Sequence, residues 1–159
     1  MTPRLRPARP ADLPFLLSLA PRLAESGVPP WRAPAHVVEA EQRALTRALE
    51  AGSPDAPILI AEADGAPLGF VYLETHVDFF TGRSHAHVAV LAVADAAQGH
   101  GVGPALLGAA EDWARGRGHP FISLNVFTEN ARARHVYERL GYGPETLRYV
   151  KPLEEGAVP

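Results

Sequence analysis

The sequence predicts an α/β (α+β) fold, with one central mixed, mostly antiparallel sheet flanked by helices. Three observations predict it. Apolar periodicity orders the segments as β-α-α-β-β-β-α-β-α-β, mixing hairpins with helical crossovers. Asp64 and Gly65 stand between two apolar runs and give a strong hairpin signal. Two late segments carry apolar residues at i, i+3, i+4, i+7, which makes one buried helical face each.

Each element has a local reason. "RLRPAR" opens as a short strand, and Pro10 with Asp12 marks a helix start. "LPFLLSLAPRL" continues that helix until Pro21 interrupts or ends it. "ESGVPPWRAPA" is a loop that exposes Trp31 between prolines. Residues 36–51 cluster Val37, Val38, Ala44, Leu45, Ala48 and Leu49 on one helical face, and "GSPDAP" stops them. "PILIAEA" and "PLGFVYLETHV" form the hairpin around Asp64 and Gly65. After "DFFTGRS", "HAHVAVLAV" is a third strand. A helix over about residues 104–115 carries Leu106, Ala109, Ala110 and Trp113. "GHPFISLNVF" is a turn and strand. Residues 130–140 form a helix with Ala133, Val136, Tyr137 and Leu140 on one face. "ETLRYVKPL" reads as a last strand. One domain is expected over residues 1–153, with a frayed tail at 154–159.

The chain has 159 residues, enough for one domain with a real core. A net charge of −3 argues against a general nucleic-acid binder, which would carry a basic face. The absence of cysteine removes disulfide scaffolds, thiolate zinc sites and cysteine nucleophiles. No apolar run approaches the ~18 residues of a membrane span. The first residues, "MTPRLRPARPADL", hold no apolar signal core, so a cytoplasmic location is expected.

The stretch "QGHGVGPALL", residues 98–107, places three glycines in six residues and then enters a helix. Glycine is costly in ordered chain, so bare backbone must be needed there. A glycine-rich loop opening a helix directs several N–H groups one way, and the helix dipole adds positive potential. That is a site for an anion such as a pyrophosphate. It does not fit the dinucleotide fingerprint, because Pro104 and Leu106 fill the third glycine position. It is not a Walker loop either, since the only lysine of the chain is Lys151.

What fits is Q/R-x-x-G-x-G/A, with Gln98, Gly101 and Gly103. Together with "LNVFTENARARHVYERLGY", residues 124–142, it resembles the GNAT superfamily of N-acetyltransferases. The resemblance runs from "RLRPARPADLP" to "YVKPL" and implies the GNAT-like acyl-CoA N-acyltransferase fold with acetyl-CoA as co-substrate. By resemblance, Leu91, Ala92 and Val93 offer main-chain groups to the pantetheine arm. The amides of Gly99, His100, Gly101, Val102, Gly103 and Pro104 surround the pyrophosphate, except that Pro104 has no N–H. Gly99 also stands where the family often has arginine. Asn130 matches an Asn that contacts the cofactor, and equally suits a helix N-cap. Asn125 is also counted, by resemblance, among the cofactor-binding residues. Tyr137 matches the Tyr that protonates the departing thiolate, and also suits an apolar helical face.

The family's usual carboxylates are absent: Ala89 and Asn125 occupy their positions. Strand alternation puts His85, His87, Ala89, Leu91 and Val93 on one face. His87 then lies about 7 Å from the missing carboxylate, and Glu74 sits on the adjacent hairpin strand. The base is His87, Glu74 acting on the amine, or a water chain with no dedicated base. His76, Asp78, His85 and His87 also have a spacing that suits a metal, but the acyl-CoA reading needs none.

The implied function is transfer of an acetyl group from acetyl-CoA to a primary amine of a small molecule or peptide, by direct attack in a ternary complex. The rival is a catalytically weak or dead fold that senses acyl-CoA or docks a protein; a different acyl chain is a third reading. Trp31, Glu74, Asp78, Phe79 and Phe80 suit an amine with an apolar or aromatic body. No nucleic-acid or membrane partner is expected, and a homodimer is the family's habit.

Overall fold

A computed structural model describes residues 2–25 and 27–154. Five strands form one sheet in sequential order: β1 (Arg4–Pro7), β2 (Ile58–Ala63), β3 (Ala66–Val77), β4 (Ser84–Val93) and β5 (Ile122–Leu124). The first four pair antiparallel, and β5 pairs parallel to β4. The β2–β3 hairpin turns at Asp64 (φ 51°) and Gly65 (φ 77°). Two left-handed residues in a row are what a tight right-twisted hairpin needs.

Helices α1 (Leu13–Leu19) and α2 (Pro34–Ala51) cover one face of the sheet. Leu16, Leu19 and Leu45 pack there on Ile58, Ile60, Phe70, Tyr72 and Val90. A 3-10 segment, Ala20–Ala24, follows α1 and contains the Pro21 expected to interrupt it. Helix α2 has proline in its first turn and stops at Gly52, left-handed at φ 57°, whose N–H donates to Ala48 O. Proline inside the start and glycine past the end is the favoured arrangement.

Helix α3 (Val102–Gly116) covers the other face. Val102, Leu106, Leu107 and Ala110 pack on Ala61, Val71, Leu73 and Val88. Helix α4 (Ala131–Arg139) lies at the edge of this second core and buries no residue completely. Its Tyr137 packs against the core, as does Tyr142 just beyond it.

One expected element is missing. "ETLRYVKPL" forms no strand, and Leu147, Tyr149 and Leu153 are exposed. The segment has β-forming residues, but a strand needs a partner more than propensity. The neighbouring edge, β5, is three residues long. The expected tail lies outside the described residues beyond Glu154. No helix among the described residues is long and apolar enough to cross a membrane.

Candidate active site

The site is organised by one irregularity in β4. Tyr72 pairs with Val90 and Leu73 with Val88, so Ala89 has no partner on β3. Such a bulge shifts the alternation of the strand by one residue. The single-face expectation for β4 is therefore corrected. Val90 and Ala92 belong to the α1–α2 core, whereas Val88, Leu91 and Val93 pack toward α3. His85 and His87 alternate with Val88, which turns them toward the α2 side.

On that side four polar residues meet. Glu74 is the cross-strand partner of His87, and His76 of His85. The rings of His76 and His87 stack with centroids 4.3 Å apart and 16° between planes. Glu74 Oε2 lies 2.7 Å from His76 Nε2. His85 stacks on Phe121, centroids 4.4 Å apart, and its Nδ1 is buried with no hydrogen-bond partner among the described residues. His85 and His87 are only 9% and 8% exposed. Burial, and then the neighbouring His76, hold both rings below the ordinary histidine pKa. Each is thus a neutral imidazole at neutral pH.

Helix α2 adds a carboxyl the sequence reading missed. Burial pushes Glu41 upward in pKa, and the nearby Glu74 adds to it. Its signal was available, because Glu41 stands four residues from both Val37 and Leu45 on the apolar stripe of α2. Tyr72 was missed as well. Burial, then Glu74 as charge and as hydrogen-bond partner, push its hydroxyl up to about 12. A cleft lined by Arg47, Ala48, Tyr72 and Glu74 opens between α2 and the sheet.

The other side of β4 is open along its edge. Strand β5 pairs only with Ala86, His87 and Val88. From residue 89 onward β4 pairs with no described strand on that side, so alternate main-chain groups of Leu91, Ala92 and Val93 lack a strand partner there. Tyr137 packs in the same core as Leu91 and Val93. Burial raises its pKa above the ordinary phenol value, which keeps it a proton donor. Its ring meets Tyr142 edge-on, at 6.0 Å. Its hydroxyl has no hydrogen-bond partner among the described residues.

The glycine loop lies at the end of this edge. Gly99 (φ 75°) and Gly101 (φ 77°) are left-handed, and a Cβ on either would meet nothing within 4 Å. The bare backbone therefore serves its own turn and borders open space. Gly101 is the N-cap of α3 and supplies no side-chain cap. Val102 and Gly103 begin the helix, and Pro104 occupies its first turn, where a missing N–H breaks no helical bond. His100 is exposed. Gln98 Oε1 accepts from Arg132 Nη2 of α4 at 3.4 Å, so the loop and α4 face one another. These uncapped amides and the empty space beside two glycines fit a pyrophosphate.

Asn130 caps α4, its Oδ1 accepting from Ala133 N at 3.2 Å. Gly27, left-handed at φ 80°, lies directly against it: a Cβ there would fall 2.6 Å from Asn130 N and 2.8 Å from its Cα. The loop that carries Trp31 is thereby seated on the start of α4. Trp31 Nε1 is buried without a partner among the described residues. Asn125 is exposed just after β5.

The structure does not gather every expected residue. Asp78 is used by its own turn, accepting from Thr81 N at 2.9 Å and Thr81 Oγ1 at 2.7 Å. Phe79 and Phe80 are 92% and 81% exposed at the hairpin tip, beyond the histidines. Among the described residues no group of three or more His, Cys, Asp or Glu is arranged to hold a metal ion.

The sequence model of the Acetyltransferase (GNAT) family matches residues 22–142. A mycothiol acetyltransferase of Beutenbergia cavernae is 42% identical over 83 residues, 52% of this chain and 26% of its own length. The chain spans only 26% to 37% of the first curated relatives it matches. An aminoglycoside N(6')-acetyltransferase type 1 of Stenotrophomonas maltophilia is 33% identical over 119 residues, 71% of this chain and 76% of its own. A solved aminoglycoside N-acetyltransferase in complex with CoA shares the fold, with a TM-score of 0.73, 19% identity and 95% of each chain covered. With a family match over most of its length and a relative of comparable size, the chain belongs to the GNAT acetyltransferase family.

Proposed function

We propose that the protein transfers an acetyl group from acetyl-CoA to a primary amine of a small molecule, both substrates being bound together. The observation that carries this reading is the arrangement around 89–93 of β4. A buried neutral histidine lies on one side of the sheet, a protonated tyrosine on the other, and the strand edge between them is open. Relatives named for mycothiol and aminoglycosides support a small-molecule acceptor.

Acetyl-CoA supplies an activated acyl thioester. Main-chain groups of Leu91, Ala92 and Val93 hold its extended arm, as an added strand would be held. The amides of residues 99–103 take its pyrophosphate. A backbone N–H on the open edge donates to the carbonyl oxygen, where negative charge develops. His87 takes the proton of the attacking amine, and Tyr137 gives one to the departing sulfur. Glu74 lines the cleft beside Arg47 and offers a cationic acceptor a carboxylate there. Holding both reactants in line supplies much of the acceleration.

The test is thioester-dependent release of CoA with a panel of small amines, including amino sugars. Turnover above the hydrolysis background with at least one amine is expected. CoA binding without release by any amine would favour the acyl-CoA-sensing reading.

The loop gives a separate prediction. Gly101 is left-handed, so a side chain there would confuse strain with ligand exclusion. Gly103 is not left-handed, and a Cβ on it would only touch Val93 Cγ2 at 3.9 Å. Gly103→Val is therefore expected to keep the fold and to weaken CoA binding at least tenfold, about 1.4 kcal/mol, by calorimetry. Unchanged affinity would remove the phosphate assignment.

A further inference from the structure

Parallel pairing of β4 with β5 sets Ser123 directly beside His87, and Ser123 Oγ lies 2.8 Å from His87 Nδ1. The other ring nitrogen, Nε2, has no hydrogen-bond partner among the described residues. We propose that Ser123 is a positioning residue that accepts a hydrogen bond from His87 Nδ1–H and so makes Nε2 the basic atom. This rests on His87 being the base.

The chemistry requires that direction. A neutral imidazole carries one N–H, and a base at Nε2 must carry it at Nδ1. When Nε2 gains the amine proton, the ring becomes an imidazolium with two N–H groups. In so buried a place, an Nδ1–H without an acceptor pays the full desolvation cost. Ser123 Oγ is the described acceptor within reach. The amine N–H bond breaks, the Nε2–H bond forms, and the proton then leaves from Nε2 to water while Nδ1–H stays in place. Ser123 thus does for the histidine part of what a carboxylate does elsewhere: it fixes the tautomer and supports the charged ring. It adds no charge of its own.

The groups that bear on His87 are few. Glu74 and His76 face it from β3, His85 lies two residues away on β4, and Glu41 approaches Glu74 from α2. Ser123 is the neighbour from β5 and does not titrate in this range. Its removal therefore leaves the charges of the cluster unchanged, and any displacement of the pH profile reports the hydrogen bond.

The experiment combines nitrogen-15 NMR of the histidine rings with kinetics of Ser123→Ala and Ser123→Thr. In the parent protein His87 should show a protonated Nδ1 and an unprotonated Nε2 at neutral pH. Ser123→Ala should lower kcat about tenfold at unchanged KM. It should also move the acidic limb to lower pH, since the imidazolium loses its acceptor, and shift the proton toward Nε2. Ser123→Thr, which keeps a hydroxyl, should restore both. An Nε2-protonated neutral ring in the parent protein would overturn the proposal. A limb lost in His87→Gln but unmoved in Ser123→Ala would overturn it while leaving His87 as base. A limb that survives in His87→Gln would sink the base assignment and this role for Ser123 with it.

Discussion

Replacing His87 with glutamine is expected to lower kcat/KM by about a hundredfold and to erase the acidic limb of its pH profile. Burial lowers the pKa of His87, His76 lowers it further, and Glu74 partly offsets both. The neutral base grows in population as pH rises through a midpoint below the ordinary value of about 6.5. The rate should therefore climb below that value and be level by neutral pH. Any rise above neutrality then belongs to the amine. Glutamine keeps much of the volume and hydrogen bonding of the ring but takes no proton. Measuring CoA release from about pH 5 to 8 in parent, His87→Gln and Glu74→Gln separates the candidates. A limb that vanishes with Glu74→Gln and persists in His87→Gln would move the role to the carboxylate. A profile altered by neither, following only the pKa of the amine, would mean that the site selects neutral amine and has no dedicated base.

Tyr137→Phe should lower kcat by about a hundredfold with almost no change in CoA affinity or thermal stability. The ring packs beside the core around α3, and phenylalanine keeps that contact. The hydroxyl bonds to no described residue, so its loss leaves no orphaned partner in the fold. Because burial raises its pKa, the tyrosine stays protonated across the working range, ready to donate. Pre-steady-state measurement of thiol release, alongside CoA titration of the variant, checks the two halves of this expectation. If turnover survives intact, the thiolate takes its proton from water, and Tyr137 is a packing residue.

Much of this architecture is legible in the residues. The paired turn at Asp64 and Gly65, the amphipathic faces of α2 and α3 and the glycine loop are all local signals, and all appear where the sequence puts them. The bulge at Ala89 is not local. The run Val88, Ala89, Val90, Leu91, Ala92, Val93 is apolar throughout, so it has no polar contrast from which a register shift could be read. That shift decides which way His85 and His87 face relative to Leu91 and Val93. Ser123 was invisible for a related reason. Its partner lies 36 positions earlier, across a helical crossover, and only the pairing of β4 with β5 joins them. The unpaired segment at 145–153 shows the opposite error, where strand-forming residues lack an edge to complete. The hairpin-tip phenylalanines were assigned by composition alone, and they stand largely exposed at the tip.

The contact between Gly27 and Asn130 has a thermodynamic consequence. A Cβ on Gly27 would overlap Asn130 N, Cβ and Cα at 2.6, 2.7 and 2.8 Å, so only a bare glycine lets the two segments approach this closely. The Trp31 loop therefore cannot move toward the N-cap of α4 without displacing it. On the proposed reading one borders the acceptor and the other the cofactor, so ordering either side lowers the entropy still to be lost at the other. Linkage makes such an effect reciprocal: whatever factor acetyl-CoA adds to the affinity for the amine, the amine returns to acetyl-CoA. On that reading, a glycine with no side chain to offer either ligand is where the two binding equilibria would be joined.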